Sequence, residues 1–305
     1  MTTYRHTTFK ATPTTPLTPG TPEWSRTVSA SKVGALLGLS TYDSAYSLWA
    51  KATGRLDTDQ RDTKATQRGN LMEATLLEYL RLELGDDYRV TGGASYVHPD
   101  NPTWTAAPDG HVYEGRRRTP FALVECKTAR HAEDWGREGT AEIPAGYLCQ
   151  IAWQMYVTGA RTVYVPAQVA MEFRLYIVQW EDIAEDVPLI LQLVHDFQVC
   201  VADDRAPAWD GSDATYQAVR RMHPDITDGE QVIAYDLAIE LWESAEDLKN
   251  AEARKKRAHA EALAGGTQKY LVTETGEKVA TRTARGNGTP YLTIAKPKVA
   301  ALAAA

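Results

Sequence analysis

Between Ser29 and Gly38, the apolar residues Val33, Leu36 and Leu37 fall at helical spacing, and Gly38 is placed to end the helix. Residues 44–52 predict a second short helix with Leu48 and Trp49 inward, and the polar stretch from Gly54 to Lys64 reads as a loop. A longer amphipathic helix is predicted from Gly69 to Leu84, with Leu71, Leu76, Leu77, Leu80 and Leu84 as its apolar face and Gly85 as its stop. The pattern then turns to β. Residues 88–97, 103–113 and 121–129 are rich in β-branched and aromatic side chains. They are broken by Gly92-Gly93, Pro108-Asp109-Gly110 and the Arg116–Arg118 run, which predicts an antiparallel meander. A helix over 142–158 ends at Gly159. Two strands follow over 161–170 and 171–180, with Arg174, Tyr176 and Val178 on one face of the second and Phe173, Leu175 and Ile177 on the other. Residues 181–202 return to helix. The order predicts a mixed α/β (α+β) domain with a central sheet flanked by helices.

Residues 1–22 are rich in Thr and Pro and read as a flexible leader; they lack the apolar core of a signal peptide. The catalytic-type core is expected over 23–205, and Asp, Pro and Gly accumulate over 206–228 as in a linker. Thr227-x-x-Glu230 has the form of a capping box and predicts a helix of about 35 residues ending at Gly265-Gly266. This helix, over 229–265, is too polar for a core and reads as an arm or coiled-coil segment. Residues 266–305 read as a small β-ribbon with a turn at Gly286-Asn287-Gly288.

Charge and cysteine content narrow the chemistry. The three cysteines, Cys126, Cys149 and Cys200, form no CxxC pair, which argues for a reducing compartment and against a zinc ribbon or an iron–sulfur cluster. No run approaches the length of a membrane span, so a cytoplasmic protein is expected. A net charge of −7 speaks against a simple nucleic-acid binder. It is compatible with an enzyme that gathers carboxylates around a divalent cation, because the ion reverses the local field.

One constellation fits that description. Asp109, in Pro108-Asp109-Gly110, lies between two strand segments; Glu125 and Lys127 follow on the next strand, two residues apart and therefore on one face. Two carboxylates, with the backbone carbonyl of Cys126 as a third oxygen, suit Mg²⁺ or Mn²⁺. Such an ion polarises a phosphodiester and acidifies a bound water, while Lys127 orients that water or stabilises developing charge. Taken singly, Asp-Gly is a turn signal and Glu-x-Lys a common solvated face. Their order and spacing, inside the apolar strand Phe121, Leu123, Val124, set them apart.

These residues and four further blocks resemble the YqaJ-type viral recombinase nucleases, the phage lambda exonuclease family within the PD-(D/E)xK superfamily. The blocks are Ser31–Ser40 followed by Leu48-Trp49 and Thr53-Gly54, then Gly69–Glu73, Tyr147–Gln150 and Gln154–Gly159. The resemblance covers about residues 26–200. It implies a restriction-endonuclease-like core and an Mg²⁺-dependent exodeoxyribonuclease. Such an enzyme digests linear double-stranded DNA 5′ to 3′ and leaves 3′ tails for a single-strand annealing protein in phage-type recombination, often as a homo-oligomeric ring. It further implies that Glu73 joins Asp109 and Glu125 at the metal and that Lys127 activates the water. Gln150 and Tyr147 would contact the phosphate backbone or water, and Ser31, with Arg26 before it, a DNA 5′-phosphate.

Outside the resemblance, Trp135 sits in a polar loop and is a candidate for stacking on DNA. Arg116 and Arg117 lie in the hairpin between Asp109 and Glu125 and could steer phosphates at short range. His111 follows the Pro-Asp-Gly turn, where a surface or supporting role is expected. No HExxH, GxSxG or GxxxxGK[ST] occurs, which disfavours zinc hydrolases, serine esterases and ATP-driven machines. The alternatives that stay open are another PD-(D/E)xK nuclease of repair or defence, and a non-catalytic DNA-end-binding module.

Overall fold

The computed structural model describes residues 9–58 and 63–295. The chain divides into two compact units, one ending at Asp225 and the other beginning at Ile226. The first unit opens with β1 (Thr12–Thr14), α1 (Pro22–Arg26), β2 (Val28–Ser29), α2 (Ala30–Leu36) and α3 (Ala45–Ala52). The long helix α4 (Lys64–Leu84) precedes β3 (Tyr88–Gly92), β4 (Ser95–His98), β5 (Asn101–Ala106), β6 (Gly110–Glu114), β7 (Ala122–Val124) and β8 (Lys127–Ala129). Then come α5 (Ala145–Thr158), β9 (Thr162–Val169), β10 (Glu172–Gln179), α6 (Trp180–Ile183), α7 (Val187–Ala202) and α8 (Asp213–Met222).

The expected meander is instead divided between two sheets. One runs β10-β9-β7-β6-β3, with β8 also on β9, and the other runs β1-β4-β5-β2. The division falls at Gly92-Gly93-Ala94, between β3 and β4. A Cβ built on Gly93 would lie 1.8 Å from the Pro108 carbonyl oxygen, so only glycine lets this turn pass against the segment before β6. His111 fastens the turn: its Nδ1–H donates to the Gly92 carbonyl at 3.2 Å, and its Nε2 accepts from the Tyr96 hydroxyl at 2.8 Å. Burial holds the pKa of this imidazole below its ordinary value, which suits a structural, neutral ring. His111 is therefore a buried tie between sheets rather than a surface residue.

Alternation along the central sheet sorts its side chains between two apolar layers. Val90, Val112, Ala122 and Val124 meet α4 through Leu80, whereas Leu123, Val163, Val165 and Val178 face the α5 side with Trp153 and Met155. The expected two faces of β10 are found: Tyr176 and Val178 pack in the larger layer, Leu175 and Ile177 against the smaller one. On α4 the expected stripe fails at Leu71, which is 78% exposed. Nine residues at about 100° each put Leu71 on the side opposite Leu80. Gly69, the first residue of the matched Gly69–Glu73 block, has open space where a Cβ would be.

Three other expectations are corrected. Part of the leader, residues 1–8, lies outside the described residues; beyond it, Thr12–Thr14 pair antiparallel with β4, and the Phe9 ring packs near Tyr96 and His111. The stretch expected as a linker contains α8, whose Thr215 hydroxyl donates to Ser44 at the head of α3. The expected capping box at Thr227 starts no helix: Gly229, at φ 142°, adopts a conformation that breaks one, and α9 (Tyr235–Ala264) begins five residues after Glu230.

In the second unit α9 is followed by β11 (Tyr270–Val272), β12 (Lys278–Thr283) and β13 (Tyr291–Ile294), which pair in that order into a three-stranded sheet. Ala280 and Leu292 are its buried residues, and Gly286 turns the chain between β12 and β13. The end of this tail, residues 296–305, lies outside the described residues. Among the described residues, no helix is long and apolar enough to cross a membrane.

Candidate active site

β7 and β8 are one strand path with an interruption at Glu125-Cys126. Both halves pair parallel with β9 in the same register, Leu123 with Val163 and Lys127 with Ala167. The register sets Cys126 opposite Pro166. Glu125 N–H donates to the Tyr164 carbonyl at 3.0 Å, but Pro166 has no N–H to close the ladder on the Glu125 carbonyl. A proline in a central strand thus opens the sheet where the candidate residues stand.

Alternation carries Glu125 and Lys127 to the α5 side, as Leu123 is, and Cys126 to the α4 side. Glu125 is only 2% exposed. Its Oε1 accepts from the Lys127 ammonium and from Gln150 Nε2 at 2.5 Å; its Oε2 accepts from Gln154 Nε2 at 2.7 Å. Lys127 also donates to Gln150 Oε1 at 3.0 Å and lies 4.9 Å from the centre of the Tyr147 ring. Gln150 and Gln154 are one turn apart on α5, so a single helix face supplies both amides. Burial alone would lower the Lys127 pKa, but the charge and hydrogen bond of Glu125, with Asp109 behind them, raise it above its ordinary value. Lys127 is an ammonium here.

Asp109 stands just before β6, where the ladder to β7 ends at the pair Gly110–Val124. Its Oδ2 accepts the Cys126 N–H at 2.7 Å, taking the place of the next strand partner. Gly110 is required by packing and not by a turn: a Cβ there would be 2.7 Å from the Thr91 carbonyl oxygen and 2.8 Å from Leu77 of α4. Burial, then the charge of Glu125, push the Asp109 carboxyl up to about 8.

Glu73 enters from α4. It lies four residues before Leu77 and seven before Leu80, hence on the face that packs on the sheet. Its carbonyl faces the Cys126 thiol at 3.9 Å, and burial, with the charge of Glu125, raises its pKa. The structure therefore brings together Glu73, Asp109, Glu125, Cys126, Lys127, Tyr147 and Gln150. It adds Gln154, whose signal was its spacing of one turn from Gln150. Among the described residues, no three Asp, Glu, His or Cys side chains stand close enough to hold a metal ion as placed. The donor set still fits one. Three carboxylates feel one another's charge with one ammonium between them, and a buried carboxyl that resists ionisation is relieved by a divalent cation.

The other candidates fall differently. Arg26 is exposed in the last turn of α1, and the Ser31 hydroxyl, 3.1 Å from that of Ser29, is exposed in the first turn of α2. α2 itself lies on α5, with Gly34 against Gly146 and Cys149. Lys32, which the sequence reading passed over, is buried and donates to the carbonyls of Trp24, Ser25 and Thr27, so it holds the end of α1 that carries Arg26. Trp135 is not a surface platform: it is 8% exposed, packed on Tyr147 and Tyr176 at 5.8 and 5.1 Å between ring centres. Arg116 and Arg117 are in the closed end of the β6–β7 hairpin, whereas Asp109 and Glu125 are at its open end. Four strand steps, about 13 Å, separate them, beyond the roughly 8 Å over which exposed charges act at physiological salt. Arg117 is engaged by Glu114 at 3.4 Å.

Comparison with known proteins places residues 24–161 in the YqaJ-like viral recombinase domain. The chain is 24% identical over 204 residues to the uncharacterized protein YqaJ of Bacillus subtilis (strain 168), a match covering 65% of this chain and 60% of that relative's length. Among solved structures it is similar to the alkaline exonuclease LHK-Exo of Laribacter hongkongensis, at 20% identity and a TM-score of 0.42 over 60% of this chain and 95% of that one. The complex of LHK-Exo with dAMP matches alike, at 20% identity and a TM-score of 0.43 over 59% and 92% of the two chains. The similarity to the YqaJ-like viral recombinase domain thus lies in residues 24–161, and the chain spans about 60% of the length of the curated relative it matches.

Proposed function

We propose that the protein is a Mg²⁺- or Mn²⁺-dependent exodeoxyribonuclease that digests linear double-stranded DNA from the 5′ end and leaves 3′ tails for an annealing partner. The observation that carries this reading is the buried Glu125 carboxylate, shared by Lys127, Gln150 and Gln154, beside an Asp109 that meets the same strand through Cys126 N–H. An ion pair buried in this way contributes little net stability, so its presence points to chemistry rather than to folding. The similarity of residues 24–161 to the YqaJ-like viral recombinase domain supports the reading.

In this reading Asp109, Glu125, the Cys126 carbonyl and Glu73 are the residues that would hold the ion. When bound, the ion supplies Lewis-acid polarisation of the phosphate and acidifies a water. Lys127 enters as an ammonium that would orient an attacking water and stabilise charge on the phosphate oxygens, while Gln150 fixes its direction. Tyr147 covers the Lys127 ammonium and limits its access to bulk water. Ser31 and Arg26 are the proposed contacts for a terminal phosphate.

Two results test this. Linear duplex labelled separately at each end should lose its 5′ label in Mg²⁺ but not in EDTA, and the Lys127→Ala variant should be inactive on it. Cutting of covalently closed circles would replace the exonuclease reading with an endonuclease. Binding of the ion should also depend on pH. The Asp109 carboxyl, near 3.8 when unfolded and about 8 when folded, favours the native state at low pH, and that contribution is lost as pH rises from about 4 through 8. A cation that needs the ionised form displaces this proton. Its apparent affinity should therefore rise about tenfold per pH unit up to pH 8, and the Tm gained on adding Mg²⁺ should grow with it. Equal Tm gains at pH 6 and pH 8, or an unaltered pH trend in Asp109→Asn, would remove Asp109 from the ligand set.

A further inference from the structure

The helix α9 buries none of its 30 side chains, although a helix of this kind draws most of its stability from packing. Leu237, Leu241 and Leu248 stand exposed on it, the last two at 55% and 62%. They belong to a heptad seam whose two rows are Leu241, Leu248, Lys255 and Leu237, Ser244, Ala251, Ala258. The seam is uneven: its leucines lie in the first half of the helix and its alanines in the second.

The charge is divided in the same way. Between Tyr235 and Glu252, acidic residues outnumber basic ones six to one; beyond it stand Arg254, Lys255, Lys256 and Arg257 against Glu261. We infer that α9 pairs with α9 of a second copy of this chain, antiparallel, about a two-fold axis passing between Lys249 and Asn250. In that register Leu248 packs on Ala251 of the second copy, Leu241 on Ala258 and Ser244 beside Lys255. Large residues meet small ones, so the two helices can approach closely, and each acidic half lies along a basic half. Asp247 faces Arg254 of the second copy across the flank. A parallel pair would stack acidic half on acidic half and set Lys255 against Lys255 in the seam, a like-charge arrangement that disfavours it.

The pairing doubles whatever assembly the first unit makes. The test uses the full chain in low salt. The Leu241→Glu plus Leu248→Glu double variant alters no buried side chain, and it should halve the mass seen by light scattering. High salt should weaken the wild-type pair, since part of the attraction is between exposed charges. Under mild oxidation, mixed Leu241→Cys and Ala258→Cys chains should form a 241–258 disulfide, identified by peptide mass, whereas Leu241→Cys alone should form no 241–241 link. A mass unchanged by the double variant overturns the inference, and so does 241–241 linkage. It is equally overturned if the wild type stays unpaired and the leucine face serves to hold single-stranded DNA or an unlike protein.

Discussion

Replacing Glu125 by alanine should abolish DNA cleavage and lower stability by about 3–5 kcal/mol, the usual cost of breaking a buried ion pair from one side. Three donors converge on this carboxylate, and alanine leaves all of them without it: the Lys127 ammonium, Gln150 Nε2 and Gln154 Nε2. The Glu125→Gln variant separates folding from chemistry. Gln154 Oε1 is buried and has no hydrogen-bond partner, so this amide can turn over and accept from the N–H₂ of the substituted side chain. Glu125→Gln should therefore lie within about 1.5 kcal/mol of the wild type while cleaving on the order of 10³-fold more slowly. Denaturant midpoints and initial rates on linear duplex measure the two effects. An active Glu125→Ala variant, or equal stability losses for the two substitutions, would contradict the assigned role.

Gly93→Ala should be nearly as damaging, although Gly93 touches no reacting group. Its new Cβ would meet the Pro108 carbonyl oxygen at 1.8 Å and the Asp109 carbonyl carbon at 2.9 Å, both backbone atoms that cannot swing aside. The segment that carries Asp109 has to move, and if Asp109 acts as proposed, a displacement of about 1 Å costs about 10²-fold in rate. Gly92→Ala is the matched control, because nothing lies within 4 Å of a Cβ built there. The pair should differ in kcat far more than in Tm. Equal activities would mean that the turn yields instead and that Asp109 is not held by it.

Much of this was legible in one dimension. The helices around Leu48-Trp49, Leu76–Leu84 and Ile151–Met155 follow from their apolar spacing, and β9 and β10 from alternation, because each is an element whose pattern and packing agree. Asp109, Glu125 and Lys127 could be grouped because adjacent strands force proximity. What lay beyond reach is long-range. Gly92-Gly93 marks a break in the β pattern of residues 88–97, but only the contact of Gly93 with Pro108 shows that the chain changes sheets there. The Arg116–Arg118 run is near Glu125 in number, but a hairpin puts its turn at the far end from its open strands. Trp135 lies among polar neighbours in the sequence, and its burial is set by Tyr147 and Tyr176 from other elements. Gln154 opens one of the matched blocks, but its role is visible only from Glu125, whose carboxylate accepts from it across the sheet–helix interface.

A thiol between two residues of the proposed hydrolytic centre would ordinarily be its point of chemical weakness. Cys126 is guarded by its surroundings: burial first, then the charges of Asp109, Glu125 and Glu73, raise its pKa far above the ordinary thiol range. Oxidants and alkylating reagents attack the thiolate, and here almost none forms. The strand can thus keep a cysteine at its most exacting position without making the enzyme a sensor of redox state. The residue contributes its backbone to the site, and its sulfur serves as a small apolar filler against α4.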